Sequence, residues 1–226
     1  MFKIISEHAD FIVVDKGCGV NFHDEGDLGQ GLFSQVKAYL EKRDNHPELF
    51  PVHRLDKMTS GLVIFAKNLQ SAQHFGELFS QHNIEKYYLA IADKKPTKKQ
   101  GLIKGDMAKS RRGMFKHMRS NNNPAITQFF SYSIENKQRL YLLKPHSGKT
   151  HQLRVALSSI AAPIVGDNLY YGSSDADRGY LHAYALKFTY QNTDFEFSCL
   201  PVEGDFYLSA HVKAQMAQLQ KPWRLN

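Results

Sequence analysis

What most restricts the fold of this chain is the recurrence of short apolar runs, rich in β-branched and aromatic residues, that stop at glycine or at a polar turn. Residues 11–15 (FIVVD) form one such run and end at Gly17 and Gly19. Residues 61–66 (GLVIFA), 84–92 (IEKYYLAIA), 126–133 and 139–143 repeat the pattern at strand length. Residues 186–190 and 195–199 alternate apolar and polar positions on either side of QNTD, which predicts a hairpin. Helical spacing is confined to a few stretches. It predicts a helix over 32–43, from Leu32, Phe33, Val36, Tyr39 and Leu40, and one after Asn68 with Leu69, Ala72, Phe75 and Phe79 inward. Two more are expected: 151–159, capped by Thr150, and a closing helix over 205–220. Strands that follow one another directly, with helices scattered among them, predict an α+β fold rather than a regular βαβ alternation.

Of the 226 residues 42% are hydrophobic and 23% charged, enough to bury a sizeable core, and we read 1–226 as one compact domain. Cys18 and Cys199 have no C-x-x-C partner, so neither a disulfide framework nor a zinc cage is expected. Glu7 and Asp10 interrupt what would have to be the apolar run of a signal peptide, and no stretch reaches membrane-spanning length; a cytoplasmic protein is expected. The net charge of +7 is concentrated in one place. Residues 94–119 hold ten Lys or Arg against a single acid, Asp106, which leaves the rest of the chain slightly negative. With Pro96, Gly101, Gly105 and Gly113, the stretch 94–123 reads as a basic insertion running over the surface. A polyanionic partner accounts for such a segment through counterion release; a solvated loop without a partner accounts for it equally well.

The densest polar cluster of the first half, HRLDKMTSG (53–61), lies between two candidate strands, where a rigid scaffold can position functional groups. By residue type alone, Arg54 and Asp56 make a surface ion pair and Thr59-Ser60-Gly61 an ordinary turn. Eleven histidines raise the possibility of a metal-dependent hydrolase, but no H-E-x-x-H occurs. His146 and His151 stand five apart across a turn, which is not helical ligand spacing, and no metal is expected.

VHRLDKMTSGLVIFAK resembles the signature of the RluA-type pseudouridine synthases, in which HRLD, two variable residues, TSG and an apolar strand follow in order. KYYLA (86–90), LYLLKPHSGKTHQLRV (140–155), PIVGDNLYYG (163–172) and LHAYALKF (181–188) continue the resemblance in the family's order, so that it spans residues 53–188. It implies the pseudouridine synthase fold: a mixed, largely antiparallel central sheet flanked by helices and loops, with an active-site cleft in the middle. It implies Asp56 as the catalytic carboxylate, Arg154 as its partner and Tyr88 as the active-site tyrosine against the flipped uracil. Arg54 would lie near the substrate RNA, where it can fill the gap left by an extruded base. The implied reaction detaches uracil N1 from ribose C1′ and joins C5 in its place; an isomerisation needs no donor, and no cofactor is expected. The implied partner is ribosomal or transfer RNA. Lys98, Lys99, Lys109, Arg111, Arg112, Lys116 and Arg119 of the basic insertion are then candidates for phosphate contacts. No obligatory protein partner is expected, and the protein is read as a monomer.

The chain departs from the family in three ways. Lys16-Gly17-Cys18-Gly19 replaces the usual Lys-Pro-x-Gly turn, Lys149 replaces an arginine in HSGKTHQLR, and with HRLD beginning at His53 no S4-type RNA-binding domain is expected ahead of it. A protein of the same fold that binds or chaperones RNA without catalysis is the competing reading. Loss of Asp56, Tyr88 or Arg154 would favour it, and all three are present.

Overall fold

The computed structural model describes residues 2–44, 47–135 and 137–225. The chain opens with β1 (Phe2–Glu7) and β2 (Phe11–Lys16), followed by α1 (Leu32–Glu41), the two-residue β3 (Phe50–Pro51), β4 (Ser60–Ala66), α2 (Leu69–Ser80) and β5 (Glu85–Ala92). Within the basic segment lie β6 (Gln100–Gly105), β7 (Met107–Lys109) and β8 (Phe115–His117). Then come β9 (Ala125–Ser133), β10 (Arg139–Pro145), α3 (Gln152–Ser159), β11 (Leu181–Tyr190), β12 (Thr193–Ser198), α4 (Asp205–Leu208) and α5 (Ala210–Ala217).

One sheet of ten strands dominates the α+β fold, in the order β1-β2-β4-β11-β5-β10-β9-β6, with β3 added to β4 and β12 to β11. In β2 and β4 the apolar runs are continuous because both faces are covered. Ile12, Val14, Val63 and Phe65 pack with Leu32, Val36 and Leu40 of α1. Their sequence neighbours Phe11, Val13, Leu62 and Ile64 point the other way, onto Phe75 of α2. Around β5, β10 and β11 a larger core gathers Leu89, Ile91, Leu140 and Leu142 with Leu157 of α3 and Val212 and Met216 of α5.

The two halves of the sheet meet at β4 with β11, the one parallel pairing among the described residues, which holds for His182↔Ser60 and Ala183↔Gly61. A continuous row of partners crosses this seam: Lys16, Gly61, Ala183, Tyr88 and Leu143. Gly61 has φ +109°, and a Cβ there would run into the backbone of Ala183. Only glycine allows so close an approach.

Four stretches differ from the sequence-based expectation. The basic segment is not an irregular excursion: β6 extends the sheet beyond β9, and β7 pairs with β8 in a small separate hairpin. Thr150 does not cap α3. The capping position falls to His151, in the left-handed region at φ +56°. The Gln152 side chain instead reaches back, accepting from Lys149 N at 2.9 Å and Ser147 Oγ at 2.8 Å, and so fastens the preceding turn. The closing helix breaks at Ser209 (ψ +147°), whose hydroxyl caps α5 by accepting from Val212 N at 3.4 Å. β1 was not anticipated from its sequence; its residues are mostly half-buried and lack an unbroken apolar run.

If close approach at the seam holds the halves together, Gly61→Ala destabilises the protein by at least about 2 kcal/mol in urea unfolding. Gly76→Ala on α2, where a Cβ meets nothing, serves as a control and costs nothing measurable.

Candidate active site

Asp56 occupies the loop between β3 and β4, in a turn closed by Thr59 N donating to the Asp56 carbonyl at 3.0 Å. The loop is held from below by Lys16, whose side chain is fully buried. Its ammonium donates to the carbonyls of Val20 (2.8 Å), Gly17 (3.1 Å) and Lys57 (3.2 Å), tying the turn after β2 to the loop that carries Asp56. Burial pulls the Lys16 pKa down to about 8, against smaller raising effects of Cys18 and Asp56 and with a further small lowering by Arg178.

The partner of Asp56 is Arg154, on the first turn of α3. Arg154 Nη1 donates to Asp56 Oδ2 at 3.1 Å, while Nε and Nη2 make a bidentate pair with Asp167 Oδ2 and Oδ1, both at 2.7 Å. Asp167 has no exposed surface, Arg154 is 7% exposed, and Asp56 is 27% exposed. The guanidinium is thus anchored in the interior and presents one remaining edge to a carboxylate that reaches the solvent. Burial opposes the charge on Arg154, but the hydrogen bonds and charge of Asp167, with a smaller contribution from Asp56, raise its pKa overall. Asp167 also accepts from the backbone N–H of Leu169 and Tyr170, and the Tyr170 ring lies 5.1 Å from the guanidinium carbon. No hydrogen bond to Asp56 Oδ1 is found among the described residues. The alternative of an Arg54–Asp56 surface pair is not formed; Arg54 is exposed.

Tyr88 comes from β5, at the strand row that crosses the seam, and packs against the cores of both halves. Burial, and then the neighbouring charge of Asp56, push its pKa far up, so it is a neutral hydroxyl at physiological pH. His151 places Nε2 3.8 Å from Asp56 Oδ2, and its Nδ1 lies 3.1 Å from the Tyr170 hydroxyl. That hydroxyl accepts from Phe115 N at 2.8 Å, so its own proton is free for His151 Nδ1. Burial lowers the His151 pKa despite Asp56, and the ring is neutral. The β7–β8 hairpin is thereby attached to the wall of the site through Phe115.

Two grooves meet at Asp56, of about 890 and 910 Å3, and share Arg54, Leu55, Asp56, His151 and Arg154. The first also has Tyr88, Lys86 and Lys149 in its lining; the second has the acids Asp24, Glu25, Asp177 and Glu203. The structure therefore brings Asp56, Tyr88, Arg154 and Arg54 to one place. The seven basic candidates are all exposed, but they do not form one cluster. Lys109, Arg111, Arg112 and Lys116 belong to the hairpin leaning on the site. Lys98 and Lys99 precede β6, whose other end is nearest the first groove, and so stand a strand length, roughly 17 Å, away. Asp167 was not singled out from the sequence, although it lies in the matched segment 163–172; a lone acid gives no signal of the guanidinium it will meet.

Asp15, His182 and Cys199 bring one ligand atom each within 4.8 Å of one another, and of the three His182 has both ring nitrogens engaged. His182 Nε2 donates to the Cys199 carbonyl at 2.7 Å. Its Nδ1 lies 2.7 Å from Ser60 Oγ, which itself accepts from Arg178 Nη2 at 2.6 Å. Ser60 must then give its proton to His182, whose pKa burial lowers to about 4. The group ties the TSG turn to β11.

The sequence profile of a family described as RNA pseudouridylate synthase matches residues 10–159. A Haemophilus influenzae protein named as an uncharacterized RNA pseudouridine synthase is 47% identical over 98% of this chain and 97% of its own length. Ribosomal large subunit pseudouridine synthase C of Rickettsia bellii is 34% identical over 74% of this chain, which spans only 56% of that protein. Among solved structures, human RNA Pseudouridylate Synthase Domain Containing 4 superposes with a TM-score of 0.74 at 23% identity, covering 95% of this chain and 92% of its own. Human RNA Pseudouridylate Synthase Domain Containing 1 gives 0.71 at 24% identity, covering 88% and 83%. These two share the fold.

His182 makes stability depend on acid. The unfolded chain binds a proton at this histidine below about 6.5, whereas the folded chain does so only near 4, so stability falls as pH drops through that window. His182→Gln should show a urea midpoint that falls less between pH 6.5 and 4, a difference in slope of up to about 1.4 kcal/mol per pH unit.

Proposed function

The chain belongs to the RNA pseudouridine synthase family, and from that premise we propose that it isomerises specific uridines of structured ribosomal or transfer RNA with Asp56 as the catalytic carboxylate. The observation that carries this reading is the carboxylate itself, partly exposed in a groove and held through one oxygen by an arginine that the interior has already locked. Held through Oδ2, Asp56 has Oδ1 left to meet the substrate. That oxygen can add to ribose C1′, attack uracil C6 or take the C2′ proton, and each route needs an ionised and positioned carboxylate. In every case the N1–C1′ bond breaks, the C5–C1′ bond forms, C5 gives up a proton and N1 gains one, so the nucleotide keeps its composition.

Tyr88 offers a ring face to the turned-out base and a neutral hydroxyl to a developing charge; with its pKa raised, it serves as a donor at neutral pH. A uridine within paired RNA must first be unstacked, at a cost of a few kcal/mol. Arg54, exposed where both grooves meet, is suited to occupy the space the base leaves. Lys109, Arg111, Arg112 and Lys116 of the hairpin are suited to phosphates beside the target, and Lys98, Lys99 and Arg119 to more distant ones. On this reading residues 1–226 act as one catalytic domain, with 94–123 as its basic insertion, working as a monomer in the cytoplasm without a cofactor. Among the described residues no helix is long and apolar enough to cross a membrane.

The name of the Rickettsia relative makes large-subunit ribosomal RNA the first substrate to try. Incubated with unmodified ribosomal and transfer RNA transcripts carrying tritium at uridine C5, the wild type should release tritium and Asp56→Ala should release none. Binding of all these transcripts without release would favour the RNA-binding, non-catalytic reading instead.

A further inference from the structure

Lys86 is an unusual side chain for a groove wall. It precedes Tyr88 by two residues on β5, so both project from the same face of the strand, and both line the first groove. Lys86 is only 8% exposed, yet neither a hydrogen bond nor an ion pair to its ammonium is found among the described residues. The Phe79 ring lies 5.6 Å from Nζ to centroid. The neighbouring titratable groups do not neutralise it. Burial, and then Lys86 itself, hold His53 neutral, and His146 is likewise pushed down by burial first. Glu85 is on the alternate face of the strand, taken up by the Lys144 ammonium and the Tyr87 hydroxyl, both at 2.5 Å. Asp56 is held by Arg154.

An ammonium on a largely buried side chain that meets solvent only at the groove and pairs with no described group is open to a ligand that supplies the missing charge. Burial lowers the pKa of Lys86, in keeping with a side chain that has lost part of its water and gained no counter-charge. The uracil ring has only neutral carbonyls to offer, whereas each nucleotide of an RNA strand brings a full negative charge. The groove that contains Lys86 is also the one free of the acids that crowd the second groove, so the backbone is better accommodated there.

We propose that Lys86 is the anion-binding residue of the first groove, and that its ammonium takes a backbone phosphate adjacent to the uridine placed at Tyr88 and Asp56. This rests on RNA being the substrate. It assigns a binding role to a residue outside the basic insertion, at a position where Tyr88 fixes the distance to the reacting nucleotide: two strand residues, about 6.6 Å along β5.

The test compares wild type, Lys86→Met and Lys86→Arg on the tritiated transcripts, together with the salt dependence of their RNA binding. Methionine keeps the length and apolar stem of the side chain and removes an uncompensated charge, so Lys86→Met should be at least as resistant to urea as wild type. Its KM for RNA should rise about tenfold, with most of the loss of kcat/KM carried by KM, and its log–log salt slope should be shallower by about 0.7 to 0.9. Lys86→Arg should recover at least part of the affinity and the slope. An unchanged KM and slope in Lys86→Met would overturn the assignment, as would a loss confined to kcat, which would mean a contact to the reacting base. If the wild type binds RNA but releases no tritium, the catalytic reading fails while the salt slopes still decide the role of Lys86. If it binds none of the transcripts, both fail.

Discussion

A guanidinium inside a protein has five N–H donors to satisfy and a charge that cannot be discharged by losing a proton. In this chain Asp167 meets that demand from the interior, through two hydrogen bonds of 2.7 Å to Arg154 and with no exposure of its own. The remaining Nη1 has a fixed direction, and Asp56 is what it meets. Because the burial cost of Arg154 is offset largely by Asp167, the contact to Asp56 need not be the arginine's main support. The partly exposed carboxylate is left held but incompletely coordinated, which suits the reactive role proposed for it. The pair is also one-sided in stability terms: removing Asp167 would strand a buried cation, whereas removing Asp56 would leave Arg154 paired.

The position of this arrangement follows from the sheet. The seam between β4 and β11 holds two residue pairs and then ends, so the loop before β4, the start of β11 and the middle of β5 converge there. Gly61 permits the approach, His182 and Ser60 fasten it on one side, and buried Lys16 secures the Asp56 loop on another. Lys16 also clarifies the departure from the family's Lys-Pro-x-Gly turn. The lysine remains and supplies three hydrogen bonds to carbonyls, while Cys18, one residue past the position where the family has proline, is anchored by Glu203 Oε1 accepting from its N–H at 2.8 Å. Rigidity that a proline ring would provide comes here from contacts.

Much of this was legible in the sequence because it rests on local pattern. The buried strands announce themselves by apolar runs, α2 by the Asn68 cap, which does accept from Ser71 N at 2.8 Å, and the β11–β12 hairpin by QNTD. Ordered motifs single out Asp56, Tyr88 and Arg154, and the fold brings the three to one groove. What was not legible depends on partners far along the chain. β6 is a strand because β9 offers it an edge, and nothing in QGLIKG requires that. Thr150 has the right chemistry for a cap, but Gln152 competes for the same turn and wins. Asp167 and Lys86 are single charged residues whose meaning lies in what surrounds them: a buried arginine for one, the absence of any counter-charge among the described residues for the other. The basic residues illustrate the opposite error. Charge density along the sequence suggested one patch, and the fold separates Lys98 and Lys99 from the hairpin by the length of β6.

The central claim is that a locked arginine, and not the mere presence of an acid, makes Asp56 competent. The most direct measurement is the single-turnover rate of tritium release by Asp167→Asn, at saturating protein and with its RNA affinity determined in parallel. Asparagine keeps the shape of Asp167 but cannot offer two anionic oxygens to Nε and Nη2. The account predicts RNA affinity within about twofold of wild type and a rate lower by ten- to a hundredfold, as expected when the support of a positioned group is loosened. A folded Asp167→Asn protein that releases tritium at the wild-type rate would contradict it.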